Sequence, residues 1–191
     1  MAWVRSEYAG ELAVLSAWLS MLLPWNIVYH PTAPLNSTVV FFRFSLFELQ
    51  VRFPVFLEFG NEVVPAAGPL AARYPGTELL WGMFLTSPVG AVTHYDGYMF
   101  WGSVAWLVAS IALLAAFLVS IALYLDEEGF QERITVDPVR LIGGLLGAAA
   151  VGTAAASVLY FLDRTIAGIP VPVGVLIVGA LSVVLLRIDR V

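Results

Sequence analysis

From Tyr98 to Leu125 the chain runs for 28 residues without a charged side chain, and from Leu141 to Leu162 for another 22. A bilayer's hydrocarbon core, about 30 Å thick, is crossed by roughly 20 apolar residues in a helix. Helices buried in soluble proteins are seldom so long and so uniformly apolar. The composition agrees: 60% of the residues are hydrophobic and 12% charged, against about 25% charged in an ordinary soluble domain. Lipid, rather than a large internal core, is the reading that accounts for both. Tyr98, Phe100, Trp101 and Trp106 open the first of these runs and Tyr124 closes it. Such rings favour the headgroup level, so both of its ends read as membrane boundaries.

Two further apolar runs complete the count. Leu12–Val28 follows Glu7 and Glu11, and extends to a helix over about 10–29. Its position fits a signal peptide, but Pro24, Trp25 and Asn26 stand where small cleavage-site residues belong, which favours an uncleaved anchor. The last run starts near Pro170 and ends before Arg187; prolines are tolerated in a first helical turn, whose N–H groups lack partners anyway. The sequence therefore predicts a mainly α membrane protein, a single membrane domain over 1–191. Its four transmembrane helices are expected at about 10–29, 98–125, 141–162 and 168–186. A small extracellular β-containing segment, 30–97, lies between helices 1 and 2, and a cytoplasmic loop occupies 126–140.

The 30–97 segment is not simply membrane. Thr38–Phe59 carries Arg43, Glu48, Arg52 and Glu58, charges a spanning helix would place at several costly depths. At period two, Phe42, Phe44 and Leu46 lie opposite Arg43 and Ser45. After Phe47 the phase slips by one, which reads as strand with a bulge near Phe47. An amphipathic helix on the membrane surface is the competing reading. Asn61–Pro75 has three prolines and reads as loop. Residues 78–93 are apolar but broken by Gly82, Pro88 and Gly90, which suits an interfacial, re-entrant or soluble segment.

Orientation follows the arginines of the short connections. With the N-terminus inside, Arg5, Arg133, Arg140, Arg187 and Arg190 are cytoplasmic and only Arg164 is outside. Both termini are thus expected in the cytoplasm. Asn36-Ser37-Thr38 is then a glycosylation sequon on the outer side, with Asn36 as acceptor.

Few residues point to chemistry. The net charge of -5, with 9 basic and 14 acidic residues, argues against nucleic acid. All the basic residues are arginine, which fits either a high-salt proteome or a GC-rich genome. Without cysteine there is no thiolate chemistry, and no cofactor is expected. His30, His94 and Asp96 all map to the outer boundary and are the candidates for a metal or haem ligand set, although boundary histidines more often bond water or headgroups. Gly143, Gly147 and Gly152 form a small-residue face, including a G-x-x-x-G, for close helix packing. Its partner is either the chain's own helices or a second copy. The acidic Asp126–Asp137 loop is a solvated turn or a dock for a basic partner. No predicted span has a charge in its middle, which disfavours proton-coupled transport and intramembrane proteolysis.

The opening MAWVRSEYAGE, the following run ending in LLPW, and FRFSLFELQVRF at Phe42–Phe53 resemble uncharacterised haloarchaeal integral membrane proteins. That resemblance implies a habitat and a membrane location, and no activity. The layout is similar to the claudin plan, one helix, a strand-bearing outer segment and three helices. It lacks the cysteine pair, and Leu80-Trp81-Gly82 matches the tryptophan motif poorly. The expected role is non-enzymatic, presenting the outer segment to a membrane-protein or cell-envelope partner. The alternative is an accessory subunit of a transporter or respiratory complex, with a ligand site on the outer face.

Overall fold

The computed structural model describes residues 8–32, 37–53, 56–59, 62–65, 82–126, 129, 135–163 and 168–188. They form five helices: α1 (Ala9–Leu22), α2 (Pro88–His94), α3 (Gly97–Leu125), α4 (Pro138–Leu162) and α5 (Val173–Arg187). Seven strands accompany them: β1 (Asn26–Thr32), β2 (Ser37–Arg43), β3 (Glu48–Arg52), β4 (Phe56–Phe59), β5 (Glu62–Pro65), β6 (Gly82–Thr86) and β7 (Ile169–Val171). The chain is mainly helical, with one five-stranded antiparallel sheet and a separate β4–β5 hairpin.

Helices α3 and α4 are long and apolar enough to cross a membrane. At 1.5 Å per residue they are about 43 and 37 Å long. Helices α1 and α5 are apolar too, but their 14 and 15 residues reach only about 21 and 22 Å. Helix α3 packs along α4, α4 along α5, and α1 lies against all three. Ala9, Ala13 and Ala17 on α1 meet Leu113, Ala116 and Leu123 of α3 and Ile142, Leu146 and Ala149 of α4 in one buried cluster.

The first helix is shorter than its apolar run. Residues 10–29 were expected as one helix, but α1 ends at Leu22 and Asn26 begins a strand. Leu23 has already turned to extended backbone (φ -78°, ψ 136°). This is the conformation favoured before proline, and Pro24 follows. Ile27, Val28 and Tyr29 are then good strand formers and pair with β2. The run expected as helix over 168–186 likewise opens with strand β7, and α5 starts only at Val173.

Thr38–Phe53 is a hairpin rather than one bulged strand. Arg43 pairs with Glu48, so Phe44–Phe47 is a four-residue turn, closed by the Phe44 N–H donating to the Phe47 carbonyl at 2.8 Å. The phase slip in the sequence is the chain reversing direction. Within 61–75, read as loop, Glu62–Pro65 pairs with Phe56–Phe59. Residues 82–94 hold strand β6 and helix α2, whose start is capped by Ser87 Oγ accepting from the Gly90 N–H at 3.0 Å.

The sheet order is β6-β3-β2-β1-β7. It is therefore not confined to the connection between the first two long apolar runs, because β7 joins it from between α4 and α5. The sheet joins the helices at one end of α1 and α5, through β1 and β7, and lies against α3 at Trp106 and Ser110 and against α4 at Ser157 and Tyr160.

Candidate functional site, a hairpin clasped between helices

Register fixes which residues share a sheet face. On one face lie Asn26, Arg43, Glu48 and Thr86, with Val28, Phe41, Gln50, Phe84 and Pro170 in the next row and His30, Val39 and Arg52 in the one beyond. This face packs against α3 and α4, so the strands turn their charges inward.

The tip of the β2–β3 hairpin is held on several sides. The Phe44 carbonyl accepts from the Trp25 and Trp106 indole N–H groups, each at 3.0 Å. Ser45 Oγ donates to the Ser20 carbonyl at 3.1 Å, and Ser110 Oγ donates to the Ser45 carbonyl. The turn is thus wedged between the end of α1 and the flank of α3. Ser110 is 13 residues past Gly97, about 20 Å along α3.

Directly above the turn, Arg43 Nε donates to Glu48 Oε2 at 2.5 Å, with side chains only 2% and 4% exposed. The Arg43 guanidinium sits 4.0 Å from the centre of the Tyr160 ring on α4, a cation–π contact strengthened by the dry surroundings. Tyr160 OH and Ser103 Oγ share a hydrogen bond of 2.9 Å, and Asn26 Nδ2 donates to Ser157 Oγ at 3.1 Å. Arg43 Nη1 and Asn26 Oδ1 are buried with no protein hydrogen-bond partner. Arg43 and Tyr160 also line, with Val28, Met99, Gly168 and Pro170, a narrow cleft with room for about one water.

The charge reaches the helices' flank from a strand, so the absence of charge within the predicted spans does not describe their surroundings. Beside the pair, Tyr95 has its pKa raised, first by burial and then by the Glu48 carboxylate, with Arg43 and Arg52 opposing. Chemically, the cluster is a closed lock: the ions neutralise each other, and the hydroxyls bond helix carbonyls or one another.

The predicted site residues fall elsewhere. His30 lies on β1 with Nδ1 buried and without a protein partner. His94 ends α2, its ring edge-on to Tyr95 at 5.3 Å. Asp96 stands at the N-cap of α3, yet the Met99 N–H in that first turn is met by Asp163 Oδ2 at 3.2 Å. Among the described residues no three His, Asp or Glu side chains are placed to hold a metal. Asn36 lies outside the described residues.

The glycines face neighbouring helices of the same chain. A Cβ on Gly143 would lie 3.0 Å from Leu185 Cβ, and one on Gly147 2.7 Å from Ser182 Oγ, both on α5. One on Gly152 would lie 2.9 Å from Ala109 Cβ on α3. Ser182 Oγ donates to the Gly143 carbonyl at 2.7 Å, a bond the missing side chains make room for.

The Arg43–Glu48 pair escaped the sequence reading because each residue was weighed as a separate charge. Its signal was present: the two flank a four-residue stretch at which the alternation changes phase, which is where a hairpin neck would bring them together. No curated protein matches the chain. A family model matches residues 2–190, and the chain accordingly belongs to DUF7549, a family of unknown function.

Proposed function

We propose that the chain is an integral membrane protein in which α1, α3, α4 and α5 form a four-helix transmembrane bundle. Both termini and the 126–140 loop lie in the cytoplasm, with the strands at the outer end. Its role is non-enzymatic: the bundle is a rigid mount that holds the strand-bearing segment for a membrane-protein or cell-envelope partner. The observation that carries this reading is the clasped hairpin, in which polar groups of α1 and α3 hold one turn while Ser157 and Tyr160 of α4 meet Asn26 and Arg43 beside it. The outward sides of the helices support it, with Val108, Ile111 and Leu118 on α3 and Val151, Val158 and Phe161 on α4 all more than half exposed.

The test is recovery from native membranes in mild detergent, comparing wild type with Glu48→Gln, which loosens the mount without touching the surface. A partner retained by wild type and lost from the variant is the expected result. Recovery of the wild-type protein alone overturns the mounting role. The unpartnered Arg43 Nη1 and Asn26 Oδ1 favour a second reading, an accessory subunit with a small polar ligand at the sheet–helix junction. A stoichiometric transporter or respiratory enzyme in the same preparation would select it.

A further inference from the structure

The outward face of the sheet is the reverse of what water demands. Its register gives two rows that cross all five strands: Leu85, Leu49, Phe42, Ile27 and Val171, then Met83, Val51, Val40, Tyr29 and Ile169. All ten are apolar or aromatic. At the edges they are open, with Met83 75%, Leu85 71% and Ile169 74% exposed. The charged side chains of the same five strands, Arg43, Glu48 and Arg52, occupy the opposite face. A soluble sheet packed on helices shows the converse pattern, apolar inward and polar outward.

Helix lengths point the same way. Helices α1 and α5, at about 21 and 22 Å, fall roughly 9 Å short of a 30 Å hydrocarbon core. Each is continuous with a strand of this sheet, α1 with β1 and β7 with α5. Strands rise about 3.3 Å per residue, so about three residues make up the difference. That is the height of the two apolar rows. The next outward position on β2 is Thr38, which pairs with Pro31 on β1 and accepts from the Phe53 N–H.

We propose that the sheet is itself a bilayer-inserted element, its two apolar rows resting against the acyl chains of the outer leaflet and completing the crossings that α1 and α5 begin. This rests on the membrane reading above and adds the ligand of one surface: lipid, in place of a protein partner. Open sheet edges are not tolerated deep in hydrocarbon, which limits the insertion to these lowest rows. Strand β7 suits such an edge, since it has three residues and Pro170 at its centre offers no N–H.

The chain has no cysteine, so single nitroxide labels can be placed without altering the background. Labels replace Leu85, Met83, Val171 and Ile169 in full-length protein, reconstituted in phosphatidylcholine–phosphatidylglycerol vesicles. Collision with dissolved oxygen and with a water-soluble nickel chelate is then measured. The expected result is high oxygen and low nickel accessibility, with Leu85 deeper than Met83 and Val171 deeper than Ile169. Nickel accessibility equal to that of a label at Asp126 would place the sheet in water and overturn the proposal. Access by neither reagent would overturn it as well, because protein would then cover the face. Labels at Val108 and Leu118 on α3 separate the two levels of failure. If they too report water, the membrane reading falls; if they report lipid while the sheet does not, only this inference falls.

Discussion

Arg43 and Glu48 are the residues on which most else depends. Removing one partner of a buried pair leaves a charge with no compensation and costs about 3–5 kcal/mol, while replacing both with apolar residues of similar volume is often close to neutral. Glu48→Gln is therefore expected to lower the melting temperature in detergent sharply. The double variant Arg43→Met, Glu48→Leu should recover most of the loss. A double variant as unstable as the single would show that Arg43 works chiefly through Tyr160. Tyr95 next to the pair supplies a pH signature. Its raised pKa means that the unfolded chain releases this proton near pH 10 while the folded chain still holds it. The contribution is intact below pH 10 and is lost as pH climbs towards the folded value. Tyr95→Phe should flatten that alkaline loss of stability, measured by thermal melts between neutral and strongly alkaline pH.

At the scale of elements, most boundaries were readable where one physical cause dominated. The long uncharged runs made α3 and α4 visible, but α4 begins at Pro138, ahead of the expected 141, because Asp137 accepts from the Val139 N–H at 3.2 Å and proline suits the first turn. The α1–β1 junction was not readable from hydropathy, because Leu22 and Ile27 are equally apolar and only the proline between them breaks the helix. The hairpin was half legible: alternation revealed strands, but an aromatic turn such as Phe44–Phe47 carries none of the usual Gly or Asn signals. Its ties come from Trp25, Ser20, Trp106 and Ser110, which no local pattern connects. The α4–α5 contact offers a cleaner test of element packing. Gly147→Ala pushes a methyl against Ser182 Oγ and is expected to cost about 1–3 kcal/mol. Ser182→Ala removes that oxygen, leaving the next neighbour at 3.8 Å, while losing the bond to the Gly143 carbonyl. The double variant should be less destabilised than the sum of the singles, read by melts of all four proteins. Strict additivity would mean that the helices separate rather than clash.

For the whole molecule, two layers emerge, a four-helix layer about 21 Å thick and, above it, the sheet leaning on the upper halves of α3 and α4. Composition pointed towards a membrane but not to this division, since a strand with apolar residues outward and a helix run are alike in hydropathy. With the membrane insertion proposed above, the division implies a lipid dependence. Bilayers with a core near 30 Å should stabilise the protein more than thin ones near 21 Å, because only the thicker core covers both apolar rows. Melts across a series of chain lengths would show an optimum at the thicker end, and an optimum at the thin end would assign the helices alone to lipid. The sheet's order also has a meaning for synthesis. Strand β1 leaves the ribosome early, yet its outer neighbour β7 follows more than a hundred residues later. Until α4 has been made, Arg43 and Asn26 have no Tyr160 or Ser157 to lie against. The first strands are therefore sealed only once residues from the chain's last third have been made, and that last third is the clamp that closes over its beginning.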